Sequence, residues 1–234
     1  MTRGLLVPGW AATAGLYAAG LPEGWEALQP PSFRTTRGEL PAYRHWLGEQ
    51  LARAGGSVTL AGHSMGGALA LLAATDQPGR VEKLILLSPA GLPLEKPIPA
   101  SIATFACQVV RRRYPTRELC RTLARTAASP RAALRLARTI HDLDLSSELE
   151  PLRSQGIPCT IIACTSDKLI TPAHCRRLAA LLGAGYRQID APEGHVWMIS
   201  RPERLAAELR TEGDLASRSV AARAHPEPSP STPP

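Results

Sequence analysis

Short apolar runs bounded by turn residues recur along the chain: GLLVPG at 4 to 9, WEALQP at 25 to 30, SVTLAG at 57 to 62, KLILLSP at 83 to 89, CTIIACTS at 159 to 166 and YRQIDAP at 186 to 192. Runs of this length between Gly and Pro predict strands. Between most of them apolar residues return at helical spacing, as in LPAYRHWLGEQLARAG and in PAHCRRLAALLGAG, where Leu178, Leu181 and Leu182 recur and Gly183 stops the helix. Strands alternating with helices predict right-handed crossovers and a mostly parallel sheet of an α/β fold. Two regions break the alternation. From 92 to 151 no strand is expected but two helices are, PTRELCRTLARTAA and PRAALRLARTIH, the second capped by Ser129 with Pro130 in its first turn. This stretch reads as a helical insertion over the sheet. From Gly213 onward the period disappears and five of the last nine residues are proline, which predicts a domain over 1–212 and a disordered tail over 213–234.

The stretch VTLAGHSMGGALALLAA, Val58 to Ala74, joins a strand to a helix through Gly62-x-Ser64-x-Gly66. Ligand sites of parallel sheets lie at the carboxyl ends of strands, and Ser64 sits at such an end. The pattern is that of a nucleophile elbow, whose tight turn projects a hydroxyl and whose glycines relieve crowding. The bland alternative makes Ser64 a helix N-cap in a glycine-rich turn.

A serine hydroxyl is a weak nucleophile and needs a histidine base held by an acid, expected later in the chain in the order acid, then histidine. Asp167 follows a strand in CTIIACTSDKLITPAH, and His195 lies in the loop after the next strand in YRQIDAPEGHVWMI. Among the other histidines, His63 is expected to follow the strand pleat away from Ser64, His45 and His174 fall in helical patterns, His141 in the insertion and His225 in the tail. Asp190 and Glu193 are the rival acids; chain order favours Asp167. The developing oxyanion needs two donors: the Met65 amide at the helix start supplies one, and the loop VPGWAAT supplies the other through Trp10, with Ala11 as the fallback. Side chains and amides complete this chemistry, so neither a metal nor an organic cofactor is expected.

The segments PGW, GHSMGG, SDKLITPAH and EGH, spread from Gly4 to Leu209, resemble the α/β-hydrolase family in order and interval. They look like its small esterase branch, which includes the esterase that releases pimeloyl groups from their carrier-protein methyl ester. The resemblance implies a sheet of about six strands, the two N-terminal strands of larger members being missing, and a cap roofing the active site over the insertion. The usual His-Gly oxyanion motif of the family reads Pro8-Gly9 here.

Charge adds a question of partners. Of 27 cationic side chains 24 are arginine, and nine of these, with only Glu118 opposing, fall between Phe105 and Ile140. Arg117, Arg121 and Arg125 are spaced four apart, as are Arg131 and Arg135, with Arg138 one turn on, beside a face of Leu119, Leu123, Leu134 and Ile140. An acidic partner, an acyl carrier protein or a CoA ester, would fit this stripe, and so would a solvated helix face. Nucleic acid is not expected, since interleaved aromatics are missing. Phe105, Val196, Trp197 and Met198 read as an apolar acyl pocket or as core. Five cysteines without a Cys-x-x-Cys pair indicate neither a disulfide framework nor a zinc site. With too short an apolar start for a signal sequence and no run of membrane-spanning length, the expectation is a soluble cytoplasmic protein. The leading function is a serine hydrolase of a small-molecule ester or thioester, against a non-catalytic sensor or an acyltransferase on the same fold.

Overall fold

The alternation of apolar runs and helical stretches folds as one parallel sheet with helices on both faces. A computed structural model describes the backbone of residues 3–110 and 116–224 and the side chains of 3–108 and 117–213. The elements in chain order are β1 (Arg3–Val7), β2 (Trp25–Ala27), α1 (Phe33–Thr36), α2 (Leu40–Arg53), β3 (Val58–His63), α3 (Met65–Asp76), β4 (Val81–Leu87), α4 (Ile98–Val110), α5 (Thr116–Ala127), α6 (Pro130–His141), α7 (Ser146–Ser154), β5 (Cys159–Cys164), α8 (Pro172–Leu182), β6 (Gly185–Ile189), α9 (Trp197–Ser200) and α10 (Pro202–Ala224). The six strands lie in the order β2-β1-β3-β4-β5-β6, as many as expected.

Register explains why the strands read as unbroken apolar runs. Leu5 pairs with Leu60, Leu60 with Leu84 and Leu86 with Ile161. Side chains then alternate between two buried layers: Leu5, Leu60, Leu84 and Ile161 pack on one face with α2, α3, α7 and α8, while Leu6, Ala61, Ile85 and Ile162 pack on the other with Tyr17, Trp197 and α10. A strand covered on both faces has no position for a free polar side chain. Helix α3 is buried all round through Ala74, which suits its Ala and Leu content. Thr171 caps α8 by accepting the His174 N–H at 3.2 Å, and Gly183, at φ 67°, ends it in the left-handed region as its sequence predicts.

The insertion differs from expectation. Among the described residues it holds four helices, not two. Helix α4 carries no narrow apolar stripe and starts among prolines, which the first turn of a helix tolerates. Helix α7 continues through Pro151 despite the lost N–H, because Leu149 and Leu152 are buried. It packs on α3 and α8, so α4, α5 and α6 form the cap. The two ends of the insertion meet in a short stalk, where the Leu94 N–H donates to the His141 carbonyl and the Leu145 N–H to the Gly91 carbonyl, each at 2.9 Å. At the other end of the chain α10 does not stop at Gly213 but runs to Ala224, so the expected tail is helical over its first half. Residues 225–234 and Arg111, Arg112 and Arg113 lie outside the described residues.

Candidate active site

Three loops at the carboxyl ends of β3, β5 and β6 converge. Ser64 occupies the tight join of β3 and α3 at φ 54° and ψ −119°, a conformation that costs a non-glycine residue roughly 1–3 kcal/mol. Glycine is required on both sides: a Cβ at Gly62 would stand 2.4 Å from the Gly66 carbonyl oxygen, and one at Gly66 would stand 2.1 Å from that of Val7. The turn therefore exists only because two side chains are missing.

His195 sits in a single 3-10 turn after β6, and its Nε2 lies 3.0 Å from Ser64 Oγ. Its Nδ1 lies 2.7 Å from Asp167 Oδ2, while Asp167 Oδ1 accepts the N–H groups of Leu169 at 2.8 Å and Ile170 at 3.0 Å. A carboxylate only accepts, so Nδ1 carries the imidazole proton and Nε2 is free to accept the Ser64 hydroxyl proton. All three side chains are buried, His195 at 1% exposure. The rival acids are engaged elsewhere: Asp190 accepts from the Thr165 hydroxyl at 2.9 Å, and Glu193 pairs with Arg201 at 2.8 Å.

The two amides expected as oxyanion donors belong to Met65, the residue after Ser64, and to Trp10, the residue after Gly9. Met65 opens α3, and among the described residues neither its amide nor that of Trp10 has a protein acceptor. The Gly9 loop packs closely on the serine, since a Cβ at Gly9 would meet Ser64 Cβ at 3.3 Å. Ala11 takes φ 62° just beyond. The Trp10 ring leans on Phe33 at 5.7 Å, and its Nε1 donates to the Ala133 carbonyl of α6 at 3.0 Å.

The cap closes over these loops through α4. The Phe105 ring stands edge-on to His195 at 6.3 Å and to Trp10 at 5.9 Å. One turn on, Gln108 Oε1 accepts the His195 backbone N–H at 2.6 Å. Of the four expected pocket residues, Phe105 alone joins the roof. Val196 is buried, and Trp197 and Met198 turn into the core layer with Leu6 and Ile85, which is the second of the two readings the sequence left open for them.

His63 corrects a second expectation. It does not turn away from the site: its ring packs at 4.8 Å from that of His195, and it is almost fully buried. Burial and the neighbouring His195 hold it well below the ordinary histidine value, so it is a neutral imidazole. The available signal was a titratable residue inside a strand covered on both faces, which must find partners.

The basic stripe is divided in the structure. Arg121 pairs with Glu118 of its own helix at 2.6 Å, whereas Arg125 donates to the carbonyls of Pro30 at 2.7 Å and Pro31 at 3.1 Å and so fastens the cap to the body. Arg135 reaches the Arg37 carbonyl at 3.3 Å. Arg117 is exposed, and Arg131, Arg135 and Arg138 line an open surface cavity of about 450 Å³ on α6 with Leu134, Thr139 and Asp142. The inward face of α6 is Ala133, Leu136 and Ile140, while Leu123 and Leu134 are exposed. Among the described residues no cluster of His, Cys, Asp and Glu fit to hold a metal occurs, and no helix is long and apolar enough to cross a membrane.

Comparison with known proteins agrees with this architecture. The model of the alpha/beta hydrolase family matches residues 5–208. No curated protein matches the chain. Among solved structures, an esterase from Exiguobacterium antarcticum is similar at 17% identity and a TM-score of 0.71, with 91% of this chain and 92% of that chain covered. A hydrolase from Oleispira antarctica is similar at 14% identity and a TM-score of 0.72, covering 91% and 90%. An alpha/beta hydrolase enzyme from the metagenome of lagoon sediments at Mar Chica, Morocco, has 20% identity and a TM-score of 0.61 over 93% of each chain. At such identities the likeness is one of fold. With the six-stranded parallel sheet and a family match across most of its length, the chain belongs to the alpha/beta hydrolase family.

Proposed function

We propose that the protein is a serine hydrolase that cleaves a carboxylic ester or thioester through an acyl-Ser64 intermediate. The observation that carries this reading is the buried chain of contacts from Ser64 Oγ to His195 Nε2 at 3.0 Å and from His195 Nδ1 to Asp167 at 2.7 Å. As Ser64 Oγ bonds to the substrate carbonyl carbon, His195 takes its proton, and the carbonyl electrons move onto an oxyanion that accepts from the amides of Met65 and Trp10. Asp167 steadies the imidazolium. His195 then gives the proton to the leaving oxygen or sulfur as its bond to carbon breaks. Water, deprotonated by His195, attacks the acyl-serine and restores Ser64.

The aromatic roof of Trp10 and Phe105 supports an apolar acyl chain. The arginines of α6 support an anionic carrier, an acyl carrier protein or a CoA ester, presented to the cap. Five free cysteines fit a reducing cytoplasm. A fluorophosphonate probe is expected to label the protein and to fail on Ser64→Ala. Turnover of p-nitrophenyl acetate and butyrate no faster than with heat-denatured protein would overturn the reading.

A further inference from the structure

His63 is a buried polar group that the acyl-serine chemistry leaves unused. Its Nε2 lies 3.0 Å from the carbonyl oxygen of His195, and its Nδ1 lies 2.7 Å from the Tyr17 hydroxyl, which in turn accepts the Gly9 N–H at 3.2 Å. Proton bookkeeping fixes every role. A carbonyl only accepts, so Nε2 carries the proton of the neutral ring; Nδ1 is then an acceptor, and the Tyr17 hydroxyl donates to it. The packing is close enough that a Cβ on Gly9 would stand 2.9 Å from His63 Nδ1.

We propose that His63 is a positioning residue, which from one buried point locks the two loops between which Ser64 reacts. Through Tyr17 and Gly9 it sets the loop that presents the Trp10 amide; through the His195 carbonyl it sets the loop that carries the base. Its own backbone leads directly into Ser64. One imidazole thus ties together the elements that bear nucleophile, base and oxyanion donor. The inference rests on the reading of Ser64 as the nucleophile.

The test measures kcat and KM for p-nitrophenyl butyrate, normalised to sites titrated with a fluorophosphonate, together with thermal midpoints. His63→Phe keeps the bulk and removes both hydrogen bonds; kcat is expected to fall about 100-fold with KM changed less than about twofold, since a misplacement of roughly 1 Å costs that much. His63→Gln offers one acceptor and one donor spaced like the two ring nitrogens, and is expected to recover kcat to within about tenfold of the parent. Tyr17→Phe is expected to lower kcat about tenfold alone and to add nothing to His63→Phe, because both break one relay. A kcat for His63→Phe within about threefold of the parent, additive losses in the double variant, or a Gln variant no better than Phe would each overturn the proposal. Should His63→Phe not fold, an unchanged kcat for Tyr17→Phe overturns it. Ser64→Ala is assayed alongside. If it turns over substrate like the parent, the nucleophile reading and this one both fall; if it is inactive while the His63 and Tyr17 variants match the parent, only this one falls.

Discussion

Two buried polar clusters occupy opposite ends of the same sheet. At the carboxyl ends of the strands lie Ser64, His195 and Asp167. Toward the amino ends, Lys83 of β4 meets Glu212 of α10 at 2.8 Å, both side chains being 5% exposed or less. Glu212 is fully served: it accepts from the Thr160 hydroxyl at 2.9 Å and pairs with Arg187 at 3.1 Å, while Lys83 also donates to the Glu212 carbonyl at 2.5 Å. Burial alone would raise the Glu212 carboxyl, but the hydrogen bond and charge of Lys83, with Thr160 and Arg187, hold it below the usual glutamate value. Its groups sit in ordinary strand and helix backbone and close on one another. The Ser64 cluster instead has a strained backbone and two amide donors with no protein acceptor among the described residues. Burial and an acid beside a base are common to both ends; strain and unspent donors belong to one.

The sharpest way to break this contrast is at the proposed nucleophile. Ser64→Ala is expected to lower kcat by about 10⁴-fold or more with the thermal midpoint kept, whereas an active variant would make the strained turn merely structural. Asp167→Asn should cost about 10³- to 10⁴-fold in kcat, measured on the same ester, with Asp190→Asn and Glu193→Gln within about threefold of the parent. The opposite end predicts the reverse pattern. Lys83→Met leaves Glu212 buried without its main partner and should cost about 3–5 kcal/mol in a denaturant titration, with kcat of the folded fraction unchanged. Adding Glu212→Leu should recover most of that loss.

Acid separates the ends more gently. His63 and His174 are held below the ordinary histidine value, in each case first by burial, so both are neutral in the fold. The unfolded chain binds protons there below about pH 6.5, so their contribution to stability is present above that value and is lost as pH falls toward their folded values. His141 works in the other direction: burial opposes its charge, but Asp142 and the Lys96 carbonyl raise it, so its contribution is present at low pH and is lost as pH rises. Glu212, held low, gives up its contribution only in the more acidic range, below the ordinary glutamate value of 4.5. Urea midpoints are therefore expected to drop in two stages on acidification, and His63→Gln should flatten the first. The smallest effect is expected at the surface. If a carrier-bound anion docks on α6, reversing Arg131 and Arg138 to glutamate lowers kcat/KM for a CoA ester several-fold at low salt and leaves a neutral p-nitrophenyl ester unchanged. Equal rates on both substrates would return the patch to solvent.

The elements most legible in the sequence are those where one local signal suffices. Ser64 announces itself through paired glycines between a strand and a helix, and Asp167 and His195 each follow a strand by a short loop. Tyr17 and Gln108 are not legible in this way, because their roles depend on packing across 46 and 87 positions of sequence. Trp197 and Met198 stay undecided in the sequence for the opposite reason: nearness to His195 along the chain suits a pocket and a core equally, and the 3-10 turn at Gly194–Val196 directs them into the core. The pleat argument failed at His63 because the elbow begins there and strand alternation no longer governs what the next residue faces. Charge spacing on α5 and α6 located the arginines but not their uses, since Arg125 finds its acceptors in a proline loop far away in sequence.

The stalk that joins Gly91 and Leu94 to Leu145 and His141 has an evolutionary consequence. The cap leaves the sheet after β4 and returns before β5, and those two strands are neighbours, so the insertion is a detour between adjacent rails. Lengthening a closed loop adds only slowly to the entropy of closing it. Natural variation can therefore rebuild the whole segment between the paired ends, changing what the roof admits, without disturbing the register of a single strand below.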